Sequence, residues 1–157
     1  MAGFISNWLA RLGLVAATAH LPATAVAQDR SYEAGLKVGM PMVVEAPSAD
    51  GQYSVVFEDD GETGYFYALD FSQTENPIQE AAHIYDVESV ADRDRPSQVR
   101  IQWSPDQLKA GLWINGYPHA VFDFANKRGY SRNNFPAPIK WTDHDFTWQD
   151  SALAFFP

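Results

Sequence analysis

Three groups of side chains in this sequence have the types that chemistry needs. The first is the run Lys127-Arg128-Gly129-Tyr130-Ser131-Arg132-Asn133-Asn134-Phe135-Pro136. Guanidinium groups carry forked donors that match carboxylates and other oxoanions, while tyrosine and asparagine add amphipathic area and hydrogen-bonding capacity. Gly129 permits a sharp turn and Pro136 stops strand pairing. The run therefore reads as a recognition loop presenting Arg128, Tyr130, Arg132, Asn133, Asn134 and Phe135. The plainer expectation is a structural loop, its arginines paired with the chain's own carboxylates and its aromatics plugging a sheet end.

The second group is His119 and Asp123, with Arg132 as a holder of anions. A neutral imidazole can act as a base or a metal ligand, so these three outline a hydrolase-like pocket. Asp123 lies four residues along a strand from His119, about 13 Å away, which is too far to orient the ring. The plainer expectation for a mid-strand histidine is a core residue satisfied by a backbone carbonyl. The third group is the acidic hairpin tip Glu58, Asp59, Asp60 and Glu62 around Gly61. Such a tip suits a hard cation or a basic protein surface. Its spacing does not match an EF-hand loop, and pairing would set Asp59 against Glu62, so a solvated turn is the simpler reading.

Other chemistries lack their residues. There is no cysteine, hence no disulfide, thiolate metal site or cysteine nucleophile. His20, His83 and His144 stand in no metal-binding motif, and neither a serine-hydrolase elbow nor a phosphate-cradling glycine loop occurs. No catalytic residue, metal or cofactor is expected. The net charge of −9 repels phosphates and argues against a nucleic-acid partner. The same acidity favours a protein partner with a basic surface.

A β framework must position these groups. A length of 157 residues predicts one domain, and a hydrophobic share of 46% excludes disorder for most of the chain. Residues 52–69 alternate with period two about Asp60-Gly61, a hairpin signal. That pairing sets Val55 opposite Phe66 and Val56 opposite Tyr65. Tyr53, Val55, Phe57, Phe66 and Ala68 share one face, and Val56, Tyr65 and Tyr67 the other, so both faces need cover. A second hairpin turns at Asn115-Gly116, the favoured type I′ pair. It sets Leu112 opposite His119, Ala110 opposite Val121 and Leu108 opposite Asp123, leaving Lys109, Trp113, Phe122 and Phe124 on the far face. Residues 99–104 join it through Pro105-Asp106-Gln107 to complete a meander. Further strands are expected at 38–46, 83–88 and 139–148, with a short helix or single turn within 74–82. The expected fold is mainly β: a single antiparallel β-sheet domain, a sandwich or half-barrel built from hairpins, with at most one short helix besides a signal-like N-terminal helix.

The N-terminus has its own pattern. Residues 1–27 contain no acid; Arg11 precedes the apolar stretch 12–19, Pro22 breaks it, and Ala25-Val26-Ala27 offers a cleavage site before Gln28. This is the three-part pattern of a secretory signal, which makes the protein periplasmic or secreted. The alternative is an amphipathic helix through Ile5, Trp8, Leu9 and Leu12 on a cytoplasmic protein. The apolar run is too short to span a membrane. The domain organisation is thus a signal peptide at 1–27, a linker at 28–37 and one β-rich domain at 38–157.

Four blocks carry a family resemblance: residues 53–68 (YSVVFEDDGETGYFYA), 83–87 (HIYDV), 114–124 (INGYPHAVFDF) and 129–136 (GYSRNNFP). In order and length they resemble the bacterial family known as domain of unknown function 2251, over roughly residues 36–148. The resemblance implies a compact single domain of a bacterial protein and supplies no reaction. It also implies a short cytoplasmic protein, in contrast to the export pattern. Three functional classes follow: an exported, non-catalytic binding domain, which includes immunity-type proteins that neutralise a basic toxin; a small hydrolase-like enzyme built on His119, Asp123 and Arg132; and a purely structural domain.

Overall fold

The computed structural model describes residues 31–133 and 146–157. The expected signal peptide, His20, Asn134, Phe135, His144 and most of the strand expected at 139–148 lie outside the described residues. The strands are β1 (Ser31–Leu36), β2 (Met42–Pro47), β3 (Tyr53–Asp59), β4 (Thr63–Asp70), β5 (Ile78–Asp86), β6 (Ser97–Trp103), β7 (Lys109–Ile114), β8 (Tyr117–Asp123) and β9 (Arg128–Ser131). They form two antiparallel sheets, one in the order β1-β6-β7-β8-β9 and one in the order β2-β3-β4-β5. The fold is mainly β, as its alternating apolar pattern requires.

Two segments differ from expectation. Ser31–Leu36, inside the expected linker, is β1 and pairs with β6 from Ser31↔Gln102 to Leu36↔Ser97. Its only long apolar side chains are Tyr32 and Leu36, too few to mark a strand without the partner. The stretch expected as a short helix instead contributes β5. Its alanines have no β preference of their own, but Ala81 and Ala82 pair with Tyr67 and Phe66. Small side chains there leave room for the neighbouring rings, and this packing overrides local propensity.

The core lies between the inner faces. Val55, Phe57, Phe66, Ala68 and Ala82 of one sheet meet Ile101, Trp103, Leu112, Ala120, Phe122 and Phe124 of the other. Phe66 stacks on Phe122 at 5.2 Å and Tyr53 on Phe124 at 4.5 Å between ring centroids. The buried rings of Phe66, Phe122 and Phe124 each contribute on the order of 2–3 kcal/mol. Two hydrogen bonds tie the sheets where β1 approaches β2. The Trp103 indole donates to the Ala46 carbonyl and the Tyr32 hydroxyl to the Pro47 carbonyl, each at 3.1 Å.

The two hairpins depart from simple pairing in different ways. In β3–β4 the register is Phe57↔Phe66 and Val55↔Ala68, two residues from the expected one. The turn closes between Asp60 and Thr63, with Gly61 at φ +96°. An even shift keeps every side chain on its face, and on the outer face Val56 is buried while Tyr65 and Tyr67 are half-buried. In β7–β8 the pairing runs Trp113↔Pro118 and then Leu112↔Ala120, so His119 is the extra residue of a β-bulge. That odd shift corrects the expected faces. Ala120 and Phe122 join Ala110 and Leu112 in the core, while Val121 and Asp123 turn outward with Gly111 and Trp113. Without the bulge, Asp123 would enter the core and Phe122 would leave it.

Candidate functional site

The bulge and the end of β9 build one corner of the molecule. The Arg132 backbone N–H donates to the His119 carbonyl and its Nε–H to the Pro118 carbonyl, both at 3.1 Å. These two bonds fix the start of the side chain. Its guanidinium carbon lies 4.1 Å from the Trp148 ring centroid and 4.8 Å from that of Tyr117. A weakly hydrated, planar cation suits such aromatic faces. Tyr117 is 52% exposed. The Trp148 indole N–H donates to Asp150 Oδ1 at 2.7 Å. The same oxygen is 4.0 Å from Arg132 Nη2, with the Asp150 side chain 85% exposed and that of Arg132 33% exposed.

His119 meets the Tyr117 ring edge-on at 5.2 Å. Burial first, and then the Arg132 charge, push its imidazole down to about 4. At neutral pH the imidazole beside the Arg132 guanidinium is therefore uncharged. Asp123, the third member of the expected pocket, is elsewhere. Its carboxylate accepts from the Asn126 backbone at 3.1 Å and the Asn126 side chain at 2.7 Å, closing the β8–β9 turn.

The expected recognition loop splits. Arg128, Gly129, Tyr130 and Ser131 are β9, and Tyr130 is buried with Val121 and Ala152 beneath the C-terminal 3-10 turn Asp150–Phe155. Arg128 lies over the Tyr130 ring at 4.9 Å, and its buried Nε has no hydrogen-bond partner among the described residues. Gly129 is a close-approach residue instead of a turn: a Cβ there would sit 2.4 Å from the Phe146 ring. The left-handed turn residue is Lys127, at φ +50°. Asn133 faces His83, whose Nδ1 its side-chain amide contacts, while His83 Nε2 bonds Asp86 at 3.0 Å. With both ring nitrogens engaged, His83 is a structural histidine in this arrangement.

Half of the acidic hairpin tip, Glu58 and Asp59, is buried. Asp59 is 1% exposed and faces Gly64 across the hairpin, in place of the expected Glu62. Its carboxylate accepts from the Gly39 N–H, the Gly61 N–H and the Tyr85 hydroxyl, each at 2.8 Å. Burial, and then Asp59 itself, raise the Tyr85 phenol. Asp60 accepts from the Glu62 and Thr63 backbones at 2.8 and 2.7 Å. Glu58 is buried, and only Glu62 is exposed at the tip. Among the described residues, no three His, Asp or Glu side chains converge as a metal set.

The sequence pattern singles out neither Tyr117 nor Trp148. Tyr117 reads only as the first residue after the Asn-Gly turn. Trp148 is brought to Arg132 by a parallel bridge between Ser131 and Thr147, which no local pattern announces.

Together these features define a small two-sheet β domain with a cation–aromatic corner at one sheet end. The protein belongs to the bacterial family described as an uncharacterised protein conserved in bacteria, domain of unknown function 2251, whose profile matches residues 36–157. It is also similar to an uncharacterised protein of Haemophilus influenzae. The two are 47% identical over 98 residues, which cover 60% of this chain and 61% of that protein. No solved structure matches. Among the described residues no helix is long and apolar enough to cross a membrane.

Proposed function

We propose that the domain is an exported, non-catalytic binding module that grips a protein partner through the Tyr117–Arg132–Trp148 corner. One observation carries this reading: an arginine held by a backbone carbonyl and set against two aromatic rings, its nearest described carboxylate 4.0 Å away on an exposed aspartate. A guanidinium whose orientation is fixed in advance loses little freedom when it binds, and Arg with Tyr and Trp is the composition of an interface anchor. The acidity of the sequence supports a partner with a basic surface, drawn in by long-range attraction. An immunity-type protein that captures a basic toxin is one member of this class. Residues 1–27 deliver the domain to the periplasm in this reading. The enzyme reading is weaker, since Asp123 is engaged by Asn126.

The test is affinity capture from a periplasmic extract, with wild type beside a Tyr117→Ala, Arg132→Ala double variant. The expected outcome is a mature protein beginning at Gln28 that retains a partner which the variant loses. A partner held equally by both would remove the corner from the proposal, and a full-length cytosolic species would remove export. Tyr130→Ala is unsuitable for this purpose, because Tyr130 is a buried packing residue.

A further inference from the structure

We infer that the group the corner receives is a carboxylate, placed end-on against the Nη1 and Nη2 atoms of Arg132. This rests on the binding reading above and names its chemistry. The Nε side of the guanidinium is engaged by the bond to Pro118, and its carbon lies 4.8 and 4.1 Å from the Tyr117 and Trp148 ring centroids. The terminal fork is what a ligand can reach, and its two parallel donors match the two oxygens of a planar carboxylate.

Charge selects the same ligand. Once the exposed Asp150 gives way, Arg132 supplies a single positive charge beside a neutral imidazole, so a monoanion is balanced and a dianion is not. The protein's net charge of −9 adds a further penalty for a phosphate. Asp150 already mimics the contact. Its Oδ1 approaches Nη2 to 4.0 Å while the Trp148 indole holds it, close enough to compete and too far for a direct hydrogen bond. An incoming carboxylate displaces an occupant from the same molecule. A guanidinium on a chain of net charge −9 thus calls for a carboxylate framed by basic residues, and this pattern rejects uniformly acidic or uniformly basic surfaces.

A polypeptide C-terminus and an acidic side group both supply such a carboxylate, and the experiment separates them. The full-length protein is titrated with a short peptide bearing a free C-terminal carboxylate, the same peptide as its C-terminal amide, an amidated peptide with one internal glutamate, and inorganic phosphate. Binding is followed by the NMR signals of the Trp148 indole N–H and the Arg132 Nε–H. At least one carboxylate peptide is expected to shift both signals, with the amide and phosphate silent. Arg132→Lys keeps the charge, loses the fork and should weaken binding about ten-fold. Asp150→Asn removes the competitor and should tighten it several-fold. The inference is overturned if amide and acid behave alike, if phosphate binds more tightly than either peptide, or if Arg132→Lys binds as wild type. Partner capture that still depends on Arg132 while every carboxylate probe fails would overturn this inference and leave the binding reading standing.

Discussion

The turn between β3 and β4 and the corner after β9 both concentrate charge, and they handle it in opposite ways. At the turn, Asp59 is buried and meets three donors, two of them backbone N–H groups. At the corner, Arg132 rests on two aromatic rings and its terminal nitrogens face one distant, exposed carboxylate. The turn's charge is consumed in holding the backbone; at the corner Nε holds the Pro118 carbonyl, while the nearest carboxylate among the described residues stays 4.0 Å from the terminal nitrogens. A cluster of like residue types therefore indicates function only after the hydrogen-bonding groups around it have been counted.

The largest expected effect lies at the turn. Asp59→Ala strands the Gly39 and Gly61 N–H groups and the Tyr85 hydroxyl. Hydrogen bonds to a charged group contribute roughly 1.5–3 kcal/mol each, and they are not fully additive. The expected loss is about 3–5 kcal/mol in a urea unfolding curve. A loss below about 1 kcal/mol would mean that the turn is solvated after all, and the contrast between the two regions would collapse.

The bulge offers a sharper probe, because His119 belongs to the corner and also to the fold. Its folded-state value of about 4 lies below the ordinary 6.5. As pH falls, the unfolded state takes up this proton first, so stability declines from about pH 6.5 down to about 4. His119→Gln should flatten that part of the pH–stability profile by an amount on the order of 2 kcal/mol, with the carboxylates titrating in common between the two proteins. Arg132→Gln removes the second cause of the depression, so the imidazole should titrate at higher pH in an NMR series. An unchanged titration would separate His119 electrically from the corner.

These two regions also show how far the sequence could be read. The period-two runs identify most strands, and the first hairpin keeps its faces because its register moves by two. The second hairpin is inverted by one residue. The Asn-Gly turn is correct, but the preference of Phe122 for the core and of Asp123 for the outer face is met only by leaving His119 unpaired. β1 is invisible locally because its partner β6 lies some sixty residues away. In the corner, Arg132 is legible from its type and setting. Its aromatic clamp is not, since Tyr117 arrives through the bulge and Trp148 through a parallel bridge. Tyr130 misleads for the complementary reason: a tyrosine beside two arginines looks exposed until a distant C-terminal segment covers it.

The smallest stability effect is expected at the residue with the largest expected effect on binding. Arg132→Gln removes two partly exposed cation–aromatic contacts, worth about 0.5–1 kcal/mol each at such sites. The ion pair with the exposed Asp150 adds almost nothing at 4.0 Å. Glutamine retains a donor for the Pro118 carbonyl and most of the aliphatic stem. The protein should therefore unfold within about 2 kcal/mol of wild type while losing its partner. A destabilisation of several kcal/mol would place Arg132 with Asp59, as a charge committed to the fold. A small change combined with lost capture would keep the two regions apart, because a residue that contributes little to folding and much to recognition is what a surface anchor must be.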